Sequence, residues 1–243
     1  MDNIVSAPDK QRKRIFTDVA SKLSLPPCVV EKDFYVSWVL GKMFANPELH
    51  DILRFNGGTS MLKAYNVIQR TNPDVDLILK QDVVLKPEEK LEQPSKSKQI
   101  AFDRELEKRD EIFIQSVLKK TISYSISGIC SVAGDKEGHI LQISYNQVFE
   151  YEYIPPTIKL EIGSIGLWEP YEEHPITSFV SNVSPELKIK NPTVPTIMAT
   201  RTFWEKVIIL HREAHRPATA NIPPSRCSRH YYDIFKMGHS DIS

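Results

Sequence analysis

The sequence predicts an α+β protein, and three observations support that prediction. Helical patterns come first, a strand–helix–strand unit follows, and a further helix precedes several strands and a last helix. Hydrophobic residues make up 41% of the 243 residues, as in ordinary globular proteins. A chain of this length is also long enough to bury a sizeable core, as one large domain or two small ones.

Apolar spacing defines the N-terminal elements. Residues 8–22 and 29–45 have the periodicity of helices, and the Pro-Pro pair at 26–27 separates them. Residues 52–55 form a short apolar strand. The second helix is predicted to bury Val36, Val39, Leu40 and Phe44.

A strand–helix–strand unit follows. Thr59 or Ser60 is expected to cap a helix that runs to about Arg70, and the strand 74–79 begins after a turn at 72–73. The charged segment 81–98 contains prolines and is predicted to be an exposed excursion within the domain. The remaining predicted elements are a helix at 99–120, strands at 122–131, 139–145 and 157–166, and a helix at 201–215.

Charge and cysteine usage exclude several classes of protein. Lys plus Arg and Asp plus Glu both number 31, so no global field indicates a nucleic-acid or anionic-membrane partner. The three cysteines are far apart and lack CxxC spacing, which is typical of reduced thiols and not of a disulfide or zinc framework. The sequence shows no signal peptide and no run of ~20 apolar residues, which predicts a cytoplasmic protein without a membrane span.

Two glycines, Gly57 and Gly58, lie between a predicted strand and the next helix. Glycine permits close backbone approaches, and the free amides of a helix's first turn favour an anion. The hydroxyls of Thr59 and Ser60 would add donors. A plain turn and a phosphate-binding turn are both consistent with the pattern, and the glycines alone favour the plain turn.

Three carboxylates form the second candidate feature. Asp74 and Asp76 are two residues apart on a strand, so both project from one face, and Glu161 lies on the polar face of the predicted strand 157–166. Mg²⁺ prefers oxygen ligands and accompanies nucleotide phosphates. If the two strands are neighbours, the carboxylates converge as in sites that hold two metal ions about 3.5–4 Å apart, which also occur in nucleases and phosphohydrolases. Otherwise they are solvated surface residues.

The segment 201–232 is locally basic. It contains six Lys or Arg residues against two Glu, so contacts with a triphosphate or RNA are expected here. Lys206 is the cation predicted to neutralise charge on a reacting phosphate. His211 and His215 have the i,i+4 spacing of metal ligands, but packing or phosphate contact is the favoured interpretation.

Five stretches of the chain follow one another in a recognisable order. They are VVEKDFYVSWVLGKMF at 29–44, FNGGTSMLKAYNVIQRTNPDVDLIL at 55–79, IKLEIG at 158–163, RTFWEKVIILHREAHRP at 201–217 and SRHYYDIFKM at 228–237. Together they resemble the AbiEii/AbiGii toxin family, a branch of the polymerase-β-like nucleotidyltransferases. The glycine pair, a helix and Asp-x-Asp on the next strand are the features that resemble the wider superfamily.

The resemblance implies a fold and an activity. A polymerase-β-like core with a mixed sheet flanked by helices is expected at 1–175, and a helical C-terminal part that completes the active site at 176–243. The implied activity is that of a toxin from a toxin–antitoxin or abortive-infection system. It would transfer a nucleotidyl group from an NTP to RNA, with the tRNA 3′ end as acceptor, Mg²⁺ as cofactor and an antitoxin protein as partner.

The resemblance also assigns site residues. The residues implied to hold the triphosphate are Gly57, Gly58, Thr59 and Ser60, and the basic residues of the nucleotide site are Lys63 and Arg70. Asp74 and Asp76 would bind Mg²⁺ and act in catalysis. The other catalytic positions of the family correspond to Glu161, Lys206 and Asp233.

Three departures from the family pattern leave another hypothesis open. Asn56 stands where the family usually has Lys, and Asn72-Pro73 stands where it usually has Ser-Glu. Relatives also usually continue with further helices after the RHYYD motif. A nucleotide- or RNA-binding module without turnover is therefore the alternative to an active enzyme.

Overall fold

The computed structural model describes residues 1–70, 74–150, 155–166, 168–216 and 227–241. Asn72, one of the departures noted above, lies outside the described residues. So does Arg226 of the basic segment.

Helices account for most of the regular structure in these ranges. They are α1 (Asp2–Val5), α2 (Asp9–Leu23), α3 (Pro27–Phe44), α4 (Pro47–Ile52), α5 (Gly57–Lys63), α6 (Lys96–Phe113), α7 (Lys119–Ser125), α8 (Phe179–Val183), α9 (Ala199–Ala214) and α10 (Ser228–Gly238). A π-helical turn, Ile114–Leu118, joins α6 to α7. Within the ranges given above, no helix is long and apolar enough to cross a membrane.

The strands form one mixed sheet. They are β1 (Leu53–Asn56), β2 (Asp74–Leu79), β3 (Cys130–Gly134), β4 (Ile140–Tyr145), β5 (Thr157–Gly163), β6 (Tyr171–Pro175) and β7 (Thr193–Ile197). Their order is β3-β4-β5-β2-β1-β7-β6. β2 is parallel to β5 and antiparallel to β1, and β1 is parallel to β7. The predicted α+β class and the mixed sheet flanked by helices are confirmed.

The main core lies against one face of the sheet. Side chains of α2, α3, α6 and α7 pack there with alternate residues of the strands. Val75 and Leu77 of β2 and Leu160 and Ile162 of β5 are buried in this core. Because side chains alternate along a strand, the residues between them project from the opposite face.

A smaller cluster of buried residues joins α5, α9 and α10. Its members are Met61, Leu62, Ile68, Ala199 and Met237. This cluster fixes the two C-terminal helices next to the glycine turn that begins α5.

Several predicted elements are confirmed with small shifts in their ends. Residues 8–22 and 29–45 correspond to α2 and α3, and the predicted buried residues of α3 are at most 5% exposed. The strands β1, β2, β4 and β5 and the helix α9 lie where they were predicted. Between β2 and α6 only a short 3-10 turn, Gln81–Val83, interrupts the predicted excursion.

The predicted strand at 122–131 is wrong over most of its length. The helical run from Lys96 continues through Ser125, and β3 begins only at Cys130. The alternating stretch ISYSIS is typical of a strand, but apolar residues recur every four positions through it. These fully or almost fully buried residues are Ile114, Leu118, Ile122 and Ile126. Packing of this helical stripe outweighs the local alternation.

The predicted cap and length of the helix after β1 are also wrong. α5 begins at Gly57, with Asn56 as its N-cap residue, and ends at Lys63 instead of near Arg70. Asn66 adopts a left-handed backbone conformation with φ 54°, which prevents the helix from continuing.

Two strands were not predicted. β6 is a polar edge strand, and β7 contains Pro195, a residue that argues against a strand inside a sheet. β7 nevertheless lies between β1 and β6. The part at 176–243 that was expected to be helical therefore also contributes to the sheet.

Candidate active site

The strands that carry the predicted carboxylates are neighbours. β2 and β5 run parallel, with Asp76 beside Glu161 and Asp74 beside Lys159 in the register. Their side chains project from the face opposite the main core. The structure thus brings Asp76 and Glu161 together, and Asp74 lies two residues along the same strand.

Asp76 occupies an electrostatically unfavourable place for a carboxylate. Burial raises its pKa, and the charges of Glu161 and Asp74 raise it further, while Lys206 and Arg229 only partly offset this, so the pKa is about 6 instead of 3.8. Such a group ionises more readily when a cation is close. Asp76 and Glu161 are therefore neighbouring carboxylates whose mutual repulsion a bound cation would offset.

The glycine turn lies directly against Asp76. Asn56, the last residue of β1, is the register partner of Asp76. Gly57 follows with φ 78°, and a Cβ at Gly57 would lie only 1.7 Å from Asp76 Oδ2. Glycine is therefore required both by the backbone conformation and by the lack of space. The turn and the carboxylates form one site.

Thr59 and Ser60 support the turn through their side chains. The Thr59 hydroxyl donates to the main-chain oxygen of Asp74 at 2.5 Å, and the Ser60 hydroxyl donates to the main-chain oxygen of Gly57 at 2.8 Å. Both residues are buried. Their hydroxyls attach the turn to β2, which corrects the expectation that they donate to a triphosphate. Only the backbone amides of the turn stay candidates for that contact.

A buried ion-pair cluster joins α9 and α10 next to the site. Lys206 Nζ lies 2.9 Å from Asp233 Oδ2, and Arg70 Nε donates to Asp233 Oδ1 at 2.7 Å. Burial alone would raise the pKa of Asp233, but the hydrogen bond from Arg70 and the charge of Lys206 lower it. In this arrangement Asp233 and Arg70 position Lys206, whose charge reaches Asp76.

Asn56 connects the glycine turn to α9. Its side chain donates to Glu205 Oε2 at 3.1 Å and accepts from the Thr202 hydroxyl at 2.9 Å. Both partners lie on α9, Glu205 next to Lys206 and Thr202 four residues before it. The residue that departs from the family pattern therefore fixes the distance between the turn and the catalytic lysine candidate.

Residues 38–242 match the family of nucleotidyl transferase AbiEii toxins of type IV toxin–antitoxin systems. The chain belongs to this family. No curated protein sequence matches it.

A likeness to a solved structure accompanies the AbiEii family match. The chain is similar to MenT4, a nucleotidyltransferase toxin from Mycobacterium tuberculosis H37Rv, with 17% sequence identity and a TM-score of 0.48. The similarity covers 81% of this chain and 59% of MenT4, so the chain spans less than two thirds of that protein's length.

One basic position of the AbiEii pattern is not at the site. Lys63 is 4% exposed, and its ammonium group donates to Asp33 Oδ1 at 2.7 Å, to the Asp33 main-chain oxygen at 2.9 Å and to Ser37 Oγ at 2.7 Å. Burial lowers its pKa, although Asp33 opposes this effect. Lys63 therefore stabilises the interior between α3 and α5, which corrects its assignment as a nucleotide-binding residue.

Sequence reasoning missed two residues of α10. Arg229 lies close enough to lower the pKa of Asp76, but it was counted only as one of the basic residues of its segment. His230 is half-buried, and its Nδ1 has no hydrogen-bond partner among the described residues. Burial and then the charges of Lys206 and Arg229 lower the pKa of His230. Their position in the motif SRHYYD, beside the predicted catalytic residue Asp233, could have indicated that they lie near the site.

The structure gives no support to a zinc site at His211 and His215. Both residues are exposed, and their rings stack with centroids 4.2 Å apart. Across the described ranges, no group of three or more His, Cys, Asp or Glu residues is placed to hold a metal ion. Asp76 and Glu161 accordingly form a pair of carboxylates and not a closed metal cage.

Proposed function

We propose that this chain is a Mg²⁺-dependent nucleotidyltransferase toxin of the cytoplasm that transfers a nucleotidyl group from an NTP to the 3′ end of an RNA, with tRNA as the acceptor. The observation that carries the proposal is the contact between Gly57 and Asp76, with Glu161 beside Asp76. A phosphate-binding turn and acidic side chains at one site are what such a transfer requires. The family's description as one partner of a toxin–antitoxin system supports a cognate antitoxin as a further partner.

The donor set of the site fits Mg²⁺. Asp74, Asp76 and Glu161 offer only oxygen atoms, and Mg²⁺ is commonly held by one or two carboxylates together with substrate phosphates and water. Burial and then the charges of Glu161 and Asp74 raise the pKa of Asp76, and a bound cation would favour the ionised carboxylate. When bound, the metal ion supplies neutralisation of the triphosphate and of charge on the reacting phosphate.

The protein's backbone amides and cationic side chains bind the triphosphate and neutralise its charge. The backbone amides at Gly57–Ser60 bind the triphosphate, because the first turn of a helix presents free N–H groups. Lys206, held by Asp233, neutralises negative charge on the reacting phosphate, and Arg229 adds a second positive charge near Asp76. Catalysis of this kind depends on positioning and electrostatics.

Charge on α9 supports an RNA acceptor. Arg201 and Arg212 lie on the same helix as Lys206, and Arg216 follows its end. Cations of this kind supply sequence-independent affinity for phosphate backbones. The choice of tRNA among RNAs rests on the family resemblance.

The direct test is a labelling assay. The purified chain is incubated with each labelled NTP, Mg²⁺ and total tRNA, and the products are separated on a denaturing gel beside the Asp76→Asn variant. We expect label on lengthened RNA with the wild type and none with the variant. Shortened RNA would indicate a two-metal nuclease instead. NTP binding in calorimetry without product on any acceptor would indicate a binding module, and either result rejects the proposal.

A further inference from the structure

We infer that a cleft between Glu161 and the β3–β4 turn receives the terminal nucleoside of the acceptor, and that Glu137 and His139 on this turn determine which acceptor terminus is used. The inference rests on the proposed function and extends it to a second substrate site.

The cleft has a volume of about 390 Å³ and shares its wall with the candidate catalytic carboxylates. Its lining includes Asp76, Glu161, Glu137, His139, Ile140 and Ile165. Ile140 is the register partner of Glu161 in the neighbouring strand, so the turn before it lies beside Glu161. A ligand in this cleft would contact both the carboxylates and the turn.

The cleft and the glycine turn lie on opposite sides of Asp76. In the strand order β4-β5-β2-β1, Gly57 follows β1, whereas the cleft extends over β5 towards β4. Phosphoryl transfer requires the attacking and leaving oxygens to lie roughly in line on either side of the reacting phosphorus. If the leaving pyrophosphate is at Gly57, the attacking hydroxyl must approach from the cleft.

The charges that line the cleft agree with an approach of the acceptor hydroxyl from this side. Within the described structure, the titratable groups that line the cleft are Asp76, Glu161, Glu137 and His139, and no Lys or Arg is among the lining residues. The cations near Asp76, in contrast, come from the C-terminal helices. An acidic cleft repels phosphate groups and accepts hydrogen bonds from hydroxyl and amino groups. A terminal ribose and base therefore fit the cleft better than a phosphate does.

The turn is held in place by α6, by the following π-helical turn and by β5. Gln115 Nε2 donates to the main-chain oxygen of Gly138 at 2.9 Å, and Ile162 N donates to the main-chain oxygen of His139 at 3.0 Å. His139 Nε2 lies 3.5 Å from a carboxylate oxygen of Glu111. Gln115 belongs to the π-helical turn, a feature that often occurs at functional sites. These contacts give His139 a defined position at the cleft.

The experiment compares two RNA ends on the same oligonucleotide. A fluorescent RNA with a 3′-hydroxyl and one with a 3′-phosphate are titrated with the full chain, in Mg²⁺ and a non-hydrolysable NTP analogue, and anisotropy gives Kd. We expect the hydroxyl end to bind at least about tenfold more tightly, because the cleft places like charges against a phosphate. The double variant Glu137→Gln/His139→Ala should reduce this preference to below about threefold. Lys136→Ala, an exposed residue of the same turn, should leave it unchanged.

A transfer assay separates this inference from the proposed function. The double variant should raise the KM for the RNA acceptor about tenfold and leave the KM for NTP within about twofold. If the wild type labels RNA but the double variant keeps both the acceptor KM and the preference for the hydroxyl end, the inference is wrong and the proposed function stands. If the wild type neither labels RNA nor distinguishes the two ends, both are wrong.

Discussion

Two regions of the molecule each contain a buried lysine paired with an aspartate. Lys63 and Lys206 are 4% and 6% exposed, so burial does not distinguish them. The Lys63 ammonium is surrounded by acceptors of α3, including Asp33, whereas in the described part of the chain Lys206 contacts one oxygen of Asp233. In the first region the lysine stabilises the interior of the fold, and in the second the lysine is a candidate catalytic group.

The two regions differ in the net charge of the lysine and its ionic partners. Lys63 and Asp33 form a neutral pair, and the other Asp33 oxygen accepts from the Phe179 amide at 2.7 Å. Asp233 instead holds two cations, Lys206 and Arg70, so that cluster keeps a surplus positive charge. Of these two cations, Lys206 lowers the pKa of Asp76, so its charge extends beyond its own ion pair to the carboxylates of the site.

The largest expected effect is on the stability of the first region. Lys63→Ala leaves the Asp33 carboxylate buried without its cation, so the free energy of unfolding should fall by about 3–5 kcal/mol. Urea denaturation followed by circular dichroism measures this change. Lys206→Ala is the matched control, and it should cost less because Arg70 still pairs with Asp233. Equal losses for the two variants would contradict the comparison.

The second expected effect is on catalysis and concerns Lys206. Lys206→Met should reduce the rate of transfer at saturating substrates about 10²–10³-fold, as expected for the loss of a group that stabilises developing charge. Lys63→Met should leave the rate per folded molecule near that of the wild type. Single-turnover labelling, corrected for the folded fraction, measures both. A comparable loss of transfer rate in Lys63→Met would mean that Lys63 does act in the active site.

Only part of this comparison could be predicted from the sequence. Alternation in β2 and β5 correctly placed Asp76 and Glu161 on polar faces, and periodicity placed Lys206 on a helix. The pairing of β2 with β5 and of β1 with β7 depends on contacts between distant segments, which no local pattern contains. Lys63 was predicted to bind the nucleotide because of its position in the family pattern. Its actual partner, Asp33 on α3, lies 30 residues away in the sequence, so no local pattern indicates the pairing.

The raised pKa of Asp76 should make the stability of the second region depend on pH. The folded protein holds the Asp76 proton more tightly than the unfolded chain, since the pKa is about 6 instead of 3.8. Stability should therefore decrease as pH rises from about 4 to about 6, by on the order of 2–3 kcal/mol. Asp76→Asn should remove this decrease and raise Tm at pH 7 in EDTA, and it should also abolish transfer.

The measurement is a series of thermal melts between about pH 4 and about pH 8 for the wild type and Asp76→Asn. Mg²⁺ with an NTP analogue should restore stability to the wild type at pH 7, because a cation favours the ionised carboxylate. If the two pH profiles are parallel, Asp76 does not carry the unfavourable charge, and the contrast between the two regions weakens.

The smallest expected effect tests whether the second region depends on its backbone as well as its charges. Gly57 and Gly128 have nearly the same positive φ, 78° and 79°, so alanine at either position should cost about 1 kcal/mol of backbone strain. A Cβ at Gly57 also meets Asp76, whereas a Cβ at Gly128 meets nothing within 4 Å in the described structure. Gly57→Ala should therefore weaken NTP binding about tenfold in calorimetry, equivalent to about 1.4 kcal/mol, and Gly128→Ala should not. Equal affinities would mean that the phosphates do not lie at this turn, because displacement of Asp76 and loss of the close backbone approach both act at the same position.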